Sequence, residues 1–520
     1  MMRRTTALAL ALAAAAILAA LPAAAQPAPA GEKTVTLQEC LEIALKNNPG
    51  LSAEVLGPRA AAAAASRAGE IFLPKLSFTL GTQTTNQASY TWLDATDQVT
   101  SDYADYQGAL EQRLPTGATL SATLASYRSE TNRSFQTINP RFGSTLSFDF
   151  AQPLLRDFGF KMARREIIVA RDNQEISEND LRRALLDAVF DVEQAYWNLV
   201  YSREALEVQR ESLRLARDLL AKNEKELEAG VIPPIDILGA RAEVASREAD
   251  ILQAQAQVRN SQDTLRTLLD LKGEAGGPAP VLVPSETPRT EAVPLDLEAA
   301  WATALARRPD LASAQVAVRS RAFDLAFARN QTLPNLSFRA SFWSPGVSGT
   351  QILYQDNDPL TGVIVGTVPG GASLAFQDAF RLRYKNWFVG LTLDLPLESV
   401  ASRARVAEAR IASDQAALRR KDAEARAQLE VEIAVRAVET DYQRIQAYQL
   451  ARELAEEKLA AEQKKLEAGL STNYTVLQQQ RDLALARTSE TRARVDYSLS
   501  LARLERSTGT SLDSKGVRIQ

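Results

Sequence analysis

Carboxylates are abundant among the side chains of this sequence that could do chemistry. The 520-residue chain has 64 Asp and Glu residues, one cysteine and no histidine. Two carboxylates held close together could catalyse hydrolysis as general acid and base, but no pair stands apart from the charge pattern of long helices. Without histidine, Ser-His-Asp catalysis, Cys-His catalysis and His-ligated metal sites are excluded. The sequence does not favour an enzyme, and it predicts no cofactor and no metal.

The single cysteine, Cys40, cannot form a disulfide within the chain. Its surroundings, Leu37-Gln38-Glu39, are polar and lie far from the N-terminus, which argues against a lipidation site. We expect Cys40 to be a small apolar residue on one face of a helix.

The first 25 residues have the features of an export signal. Arg3 and Arg4 precede an apolar run, Ala7 to Leu21, and small residues at Ala23 to Ala25 allow cleavage before Gln26. An uncleaved anchor helix is the alternative, but the run is short for a bilayer. Removing the two arginines changes the net charge from −4 to −6. This charge gives no reason to expect a nucleic-acid partner.

The chain is an internal duplication. ALKNNPGL at 44–51 matches ALARRPDL at 304–311, and LPKLSF at 73–78 matches LPNLSF at 333–338. Five prolines between 278 and 294 indicate an extended linker. The predicted segments are a signal peptide at 1–25, a first repeat at 26–272, a Pro-rich linker at 273–294, a second repeat at 295–508 and a C-terminal tail at 509–520. Within the repeats we expect helices at 37–72 and 296–332, strands at 76–152 and 336–395, and helical hairpins at 164–271 and 402–508. Thr36, with Glu39 three residues on, and Asp296 can cap the first helix of each repeat.

Each hairpin begins with a very long helix. Residues 164–229 and 402–468 contain neither proline nor glycine, and each stretch spans about 100 Å if helical. Leu206, Leu213, Leu220 and Leu227 repeat at intervals of seven, which is the pattern of a coiled-coil seam. A globular core offers no face of that length, so a single helix on such a core fits poorly.

Both predicted long helices end at the same sequence, Leu-Glu-Ala-Gly, at 227–230 and 466–469. Gly230 and Gly469 can adopt the left-handed conformation that ends a helix. Pro233 and Pro234 hold the first turn extended, and Asp236 and Thr472 stand near the start of the returning helices. We therefore predict two hairpin tips, near 230–236 and near 469–475.

The strand segments alternate apolar and small polar residues. Leu146, Phe148 and Phe150 share one face, as do Trp387, Val389 and Leu391. A sandwich half and a lipid-facing barrel wall both fit this pattern. Segment length, aromatic residues near the segment ends and a long Gly-rich loop at 344–379 favour the barrel. Four strands from the first half and two from the second cannot close a pore alone, so several chains would share it. The longer first tract could instead place one hairpin outside the membrane.

Together these motifs resemble the TolC-type outer-membrane efflux family. The resemblance covers nearly all of the mature chain. It depends on the two AL…NP/RP openings, the two LP.LSF junctions, QPLL at 152–155 with LPL at 395–397, and the two tips, above all GLSTNYTVLQQQRDLALAR at 469–487. The implied fold is mainly α with membrane β-strands: a duplicated strand and helical-hairpin repeat that forms a trimeric β-barrel continued by a long α-helical coiled-coil tunnel.

The resemblance also implies partners. It suggests a homotrimer in outer-membrane lipid that works as a passive conduit, with tips that open when a periplasmic adaptor (membrane fusion protein) and an inner-membrane pump of the RND, ABC or MFS type dock. In the family, aspartates after the tip glycines ring the entrance, and Asp236 stands at the matching position of the first tip. At the second tip, Thr475 and Gln478 replace them, so the acidic double ring looks absent. A plain helix cap is the other interpretation of Asp236.

Three other functions remain open from the sequence. A periplasmic coiled-coil adaptor or scaffold with a small β domain would also contain long helices. A secreted hydrolase would need a carboxylate pair that the sequence does not single out. A channel specialised for secreting proteins cannot be separated from one for drugs or metals.

Overall fold

The computed structural model describes residues 32–94, 96–229, 234–271, 280–395 and 400–517. The predicted signal peptide, 1–25, lies outside these residues. Elements are labelled in chain order: β1 Glu32–Val35, α1 Leu37–Asn47, α2 Pro49–Gly69, β2 Lys75–Ala88, β3 Gln98–Arg113, β4 Thr119–Thr131, β5 Ile138–Pro153, α3 Arg165–Glu228, α4 Pro234–Leu269, β6 Val281–Pro284, α5 Leu297–Arg307, α6 Pro309–Asn330, β7 Asn335–Tyr354, β8 Ile364–Val368, α7 Ala372–Phe380, β9 Asn386–Asp394, α8 Val400–Glu467, α9 Asn473–Thr508 and α10 Ser511–Ser514. None of the described helices is both long and apolar enough to span a membrane.

The chain forms two compact units. The helical unit comprises residues up to 57, 179–312 and those from 422 onward, and the strand unit comprises 58–178 and 313–421. Each is described by itself below.

Side chains cap the first helix of each repeat as the sequence predicts. The Thr36 hydroxyl accepts a hydrogen bond from Glu39 N at 3.1 Å, and the Glu39 carboxylate accepts one from Thr36 N at 3.0 Å. Asp296 accepts from Glu298 N at 2.9 Å at the start of α5. Both predicted caps are confirmed. Pro49 and Pro309 then begin α2 and α6, where the missing N–H is not needed.

The main core of the helical unit surrounds a small parallel sheet. β1 pairs with β6, so that Val35 lies opposite Pro284. Tyr196 is fully buried beside this pair: its hydroxyl donates to Val35 O and accepts from Glu286 N. The described part of the predicted linker is extended, as expected, but its strand β6 is an integral part of this core. Chain segments far apart in sequence pair here, which local patterns do not reveal.

Cys40 lies in the same core. Its side chain is fully buried on the inner face of α1, as the sequence predicts. Burial raises the pKa of the thiol to about 12, with Glu39 and Glu286 adding to the effect. The thiol is therefore neither ionised nor accessible.

The predicted leucine seam is only partly apolar in the second hairpin. In α3, Leu206 and Leu213 are buried, and Leu220 and Leu227 are half-buried. At the position in α8 that matches Leu213 stands Arg452, whose Nε lies 2.6 Å from Oε2 of the buried Glu490 in α9. A hydrogen-bonded ion pair therefore occupies one layer of this seam.

The residues after α9 pack on the helical unit. Gly509 ends α9 with φ +73°, and α10 follows. Nζ of Lys515 lies 2.7 Å from Oε1 of Glu193, which is almost fully buried in α3. Leu512 and Val517 contact the main core. The segment predicted as a tail thus has a packing role.

The strand unit is built on one antiparallel sheet in the order β2-β3-β4-β5-β7, with β8 and β9 both pairing with β7. β9 pairs with residues 335–343 of β7, and β8 with 351–354. The described sheet has seven strands where the sequence predicts six. Because β8 and β9 pair with different parts of β7, the sheet is at most six strands wide at any position along β7.

The segment 344–379 is not the long loop that the sequence predicts. β7 continues through it to Tyr354, and β8 and α7 follow. The loop prediction was wrong because its glycines and polar residues were taken as evidence of irregular structure. Gly346 instead provides room for α7 against the sheet.

One face of the sheet carries most of the large apolar side chains. The register places Leu80 opposite Tyr106, Leu124 opposite Leu146, and Phe148, Phe342 and Trp387 in one row. Phe78 and Trp387 on this face remain 74% and 73% exposed. The opposite face carries Thr79, Asp105 and Ser147 among other small or polar residues. The predicted alternation is therefore present, and the part of the chain that the structure describes leaves most of the apolar face uncovered.

Candidate functional site at the hairpin tips

The second tip is closed by backbone hydrogen bonds around Gly469. This residue has φ +72°, which favours glycine. Leu470 N donates to Lys465 O at 2.8 Å, and Gly469 N donates to Leu466 O at 3.0 Å. These two bonds form a Schellman motif, which satisfies carbonyls at the end of α8. Gly469 therefore has the helix-ending conformation that the sequence predicts.

The return helix α9 begins with a threonine cap. The Thr472 hydroxyl accepts a hydrogen bond from Thr475 N at 3.3 Å, and the two hydroxyl oxygens lie 2.9 Å apart. Thr475 is half-buried and engaged with the cap, whereas Gln478 is exposed. Of these two candidate gate residues, Gln478 has the freer side chain.

The first tip is described only in part. α3 ends at Glu228, and α4 begins at Pro234, a favourable first helical residue. Gly230 and Pro233 lie outside the described residues. The backbone of Asp236 is in the first turn of α4, but its side chain is not described. Its role at the entrance therefore stays a prediction.

Both tips expose large apolar side chains. The side chains of Leu470 and Tyr474 are 79% and 73% exposed. Ile235 and Leu238, at the start of α4, are also largely exposed. Exposed apolar residues in one small region are typical of protein–protein contact sites.

Below the tips, an ion pair joins the two hairpins. Arg481 Nε in α9 donates a hydrogen bond to Glu243 Oε1 in α4 at 2.9 Å. Arg247 Nε, one turn along α4, donates to the same oxygen at 2.9 Å. Glu243 is only 3% exposed, so this carboxylate depends on the two guanidinium groups. Hydrogen bonding from Arg481 holds the pKa of Glu243 below its ordinary value, although burial opposes this shift.

A small apolar cluster also joins the hairpins. It comprises Leu219 of α3, Leu459 of α8, and Val476, Leu477 and Leu483 of α9. Burial of such side chains stabilises a contact by about 1.5–3 kcal/mol each when it is complete. The beginning of α9 therefore packs on both long helices.

Several neighbouring ion pairs act within one hairpin. Arg241 of α4 bonds Glu224 of α3 at 3.2 Å, with both side chains exposed. In the second hairpin, Arg452 and Arg487 both bond Glu456, at 2.9 Å each. The pair of Glu243 with Arg481 differs from these pairs because it connects separate hairpins and its carboxylate is buried.

Glu243 and Arg481 were not predicted from the sequence. A signal was available, because opposite charges stand about two and a half turns into the two return helices. Charges on long helices are usually solvated, however, and nothing local distinguishes these two.

The described residues at the tips make contacts between helices. Within the described ranges, no cluster of His, Cys, Asp and Glu residues could hold a metal ion. Near their ends, the hairpins are joined by an ion pair whose carboxylate is buried and by an apolar cluster. Such a junction can act as a reversible contact.

Comparison with known proteins gives concordant results. The sequence model of a family described as "Outer membrane efflux protein" matches residues 40–270 and 301–510, once in each half. The chain is 25% identical over 341 residues to the pyoverdine export outer membrane protein OpmQ of Pseudomonas putida, which covers 64% of this chain and 61% of OpmQ. It is 25% identical over 378 residues to the alkaline protease secretion protein AprF of Pseudomonas aeruginosa, covering 69% and 68% of the two chains.

The fold is shared with solved channels. The crystal structure of the Campylobacter jejuni CmeC outer membrane channel matches with a TM-score of 0.61 and 16% identity, over 93% of this chain and 90% of that one. This likeness confirms the predicted fold class.

Proposed function

Because the chain belongs to the outer membrane efflux protein family, we propose that it is the outer-membrane channel subunit of a tripartite efflux or type I secretion system. It would be a passive conduit across the periplasm and outer membrane, exported by the signal at 1–25. The family is one of efflux proteins, so we propose no catalytic step and no cofactor for this chain.

The pore is proposed to be a homotrimer. The described sheet has free edges at β2 and at β9, and its apolar face is exposed. A sheet of at most six strands cannot enclose a pore. Three copies joined edge to edge would form a barrel whose apolar face meets outer-membrane lipid and whose polar face lines water.

The entrance is proposed to be an iris-like gate at the helical tips. Separation of the two hairpins would break the Glu243–Arg481 pair and open the contact beneath Val476 and Leu477. Asp236 and Gln478 would line the opening, with Thr475 fixing the start of α9. A ring of Asp236 carboxylates would attract cations.

Docking partners are proposed from the exposed tips. Leu470, Tyr474, Ile235 and Leu238 offer an apolar contact for a periplasmic adaptor. An inner-membrane pump of the RND, ABC or MFS type would supply the energy. The two relatives in sequence handle different cargo, pyoverdine and a protease, so both small-molecule efflux and protein secretion remain within the proposal.

The exposed apolar face of the sheet carries the proposal, because a soluble protein rarely exposes an apolar face of this size. The test is reconstitution of the purified protein in planar bilayers, with native mass spectrometry of the same sample. We expect a trimer with stable single-channel conductance and recovery in the outer-membrane fraction. A monomer recovered from the soluble periplasm without conductance would instead support the adaptor or scaffold function.

A further inference from the structure

A short helix covers part of the apolar face of the sheet. α7 (Ala372–Phe380) lies over β7 and β5, where Ser344 and Ser144 are buried. Its contacting side is made of Ala375 and Ala379, both fully buried. A Cβ at Gly346 would collide with the Ala375 carbonyl oxygen. Small residues on both elements therefore bring α7 directly onto the sheet.

The outer side of α7 is apolar and exposed. Leu374, Phe376 and Phe380 are each about half exposed, and the rings of Phe376 and Phe380 stack with centroids 4.4 Å apart. A cleft of about 500 Å³ opens between α7 and the strands, lined in part by Tyr106, Phe142 and Phe376. The cleft is mainly apolar and open to the outside, as a site for a lipid chain would be.

α7 extends the apolar band of the sheet. Along β7, the large residues Phe338 and Phe342 give way on the same face to Ser344 and Gly346. α7 covers β7 at this change, so Leu374, Phe376 and Phe380 replace the large side chains that the strand lacks there. The apolar surface is thus continuous from the strands to the helix.

Cations follow the helix directly. Arg381, Arg383 and Lys385 are exposed, and Arg383 also bonds Asp378 at 3.2 Å. Tyr384 and Trp387 accompany them and are exposed as well. Apolar residues followed by cations and aromatic rings are typical of helices that lie in a membrane interface.

We propose that α7 is an interfacial helix that binds a bilayer surface with anionic phosphate-bearing headgroups. Leu374, Phe376 and Phe380 enter the edge of the apolar region, and Arg381 and Lys385 bind phosphates. This inference rests on the proposed function, in which the apolar face of the sheet meets lipid.

The test is the depth of spin labels in phosphatidylglycerol nanodiscs, read by power saturation with oxygen and with a nickel chelate. Labels are attached at Phe376→Cys on α7, Phe78→Cys on the sheet face and Asp356→Cys in an exposed turn. Cys40 needs no replacement, because it is fully buried. We expect the labels at 376 and 78 to respond severalfold more to oxygen than to nickel, and the label at 356 to show the reverse.

The outcomes separate the two proposals. A lipid-like label at 78 with a water-exposed label at 376 overturns the role of α7 and leaves the channel intact. Water exposure at both positions contradicts the channel itself. A label at 376 shielded from both reagents means that a second copy of the chain covers α7, which also overturns the inference.

Three variants of the Phe376→Cys protein test the packing of α7 and the role of its cations. Gly346→Val is expected to displace α7 and lower the oxygen preference, whereas Gly366→Val in β8 is expected to preserve it, because a Cβ there meets only Leu353 at 3.8 Å. Arg381→Gln with Lys385→Gln should reduce the oxygen preference about twofold in phosphatidylglycerol but not in phosphatidylcholine. Equal readings in both lipids would overturn headgroup binding.

Discussion

Arg481 in the return helix of the second hairpin donates a hydrogen bond from Nε to Oε1 of Glu243 in the return helix of the first, at 2.9 Å. The carboxylate is buried, and Arg247 is its other partner. This bond connects the proposed moving parts close to their tips.

Arg481→Gln is expected to favour the open gate. Arg247 still neutralises Glu243, and the Arg481 side chain is partly exposed. We therefore expect the free energy that favours the closed gate over the open gate to fall by about 1 kcal/mol. That shift corresponds to an open fraction about fivefold larger. Single-channel conductance of the reconstituted protein measures it. Arg241→Gln is the matched control, because its bond to Glu224 lies within one hairpin; equal conductance in both variants and the wild type would refute the role of Arg481.

The closed gate is expected to tolerate mild acid. The pKa of Glu243 is held below its ordinary value, so the ion pair is stable above the ordinary carboxyl range and is lost only as pH falls through the lowered pKa. Guanidinium groups are charged throughout this pH range, and Asp250 lies 3.5 Å from Arg247. Conductance should be flat from pH 7 to about 5 and rise only in stronger acid. The Glu243→Gln channel should lack the acid rise, and a wild-type rise near pH 6 would assign gating to another group.

Gly469→Val is expected to loosen the second tip. Its φ of +72° costs an L-residue about 1–2 kcal/mol, and a β-branched side chain adds to this. Hydrogen exchange of the amides of Leu470 and Thr475 should become faster. Gly239→Ala in α4 is the control, because its φ is helical and a Cβ there meets nothing within 4 Å; it should be neutral or slightly stabilising. Unchanged exchange in Gly469→Val would show that the tip does not depend on this conformation.

Lys515→Met is expected to destabilise the helical unit by about 3 kcal/mol, because it leaves the buried Glu193 without its cation. Burial already raises the pKa of Glu193, and Lys515 opposes this shift. Loss of Lys515 would raise the pKa of Glu193 further. The stability lost in Lys515→Met should therefore become smaller as the pH falls and Glu193 is protonated.

Denaturant midpoints at several pH values measure this effect. Adding Glu193→Gln to Lys515→Met should restore most of the stability. The control is Lys222→Met, which removes an exposed pair with Glu226 and should cost less than about 0.5 kcal/mol. A deficit that the added Glu193→Gln leaves unchanged would show that Lys515 acts through packing instead.

Features of the fold that depend on local chemistry were predictable. Thr36 with Glu39 and Asp296 cap helices through neighbours in sequence, and the apolar face that includes Phe148 and Phe342 follows from alternation alone. The fold class was predicted from the family resemblance that the duplicated motifs support.

Features that depend on distant pairing were not predictable. β8 has only five residues, Ile364–Val368, and exists because β7 offers it an edge. The pairing of β1 with β6 joins residues about 250 positions apart. Glu243 and Arg481 are ordinary helical charges until the two hairpins are aligned, and no local pattern specifies that alignment.

The strand order has a consequence for assembly symmetry. Every step from β2 through β3, β4, β5 and β7 to β9 reverses the chain direction. The two edge strands, β2 and β9, therefore run in opposite directions. When identical copies are related by rotation, β2 of one copy and β9 of the next would pair in antiparallel orientation. An odd number of strands per copy would make the strands at every interface between copies parallel. The hydrogen-bond geometry at each interface would then differ from that inside each copy.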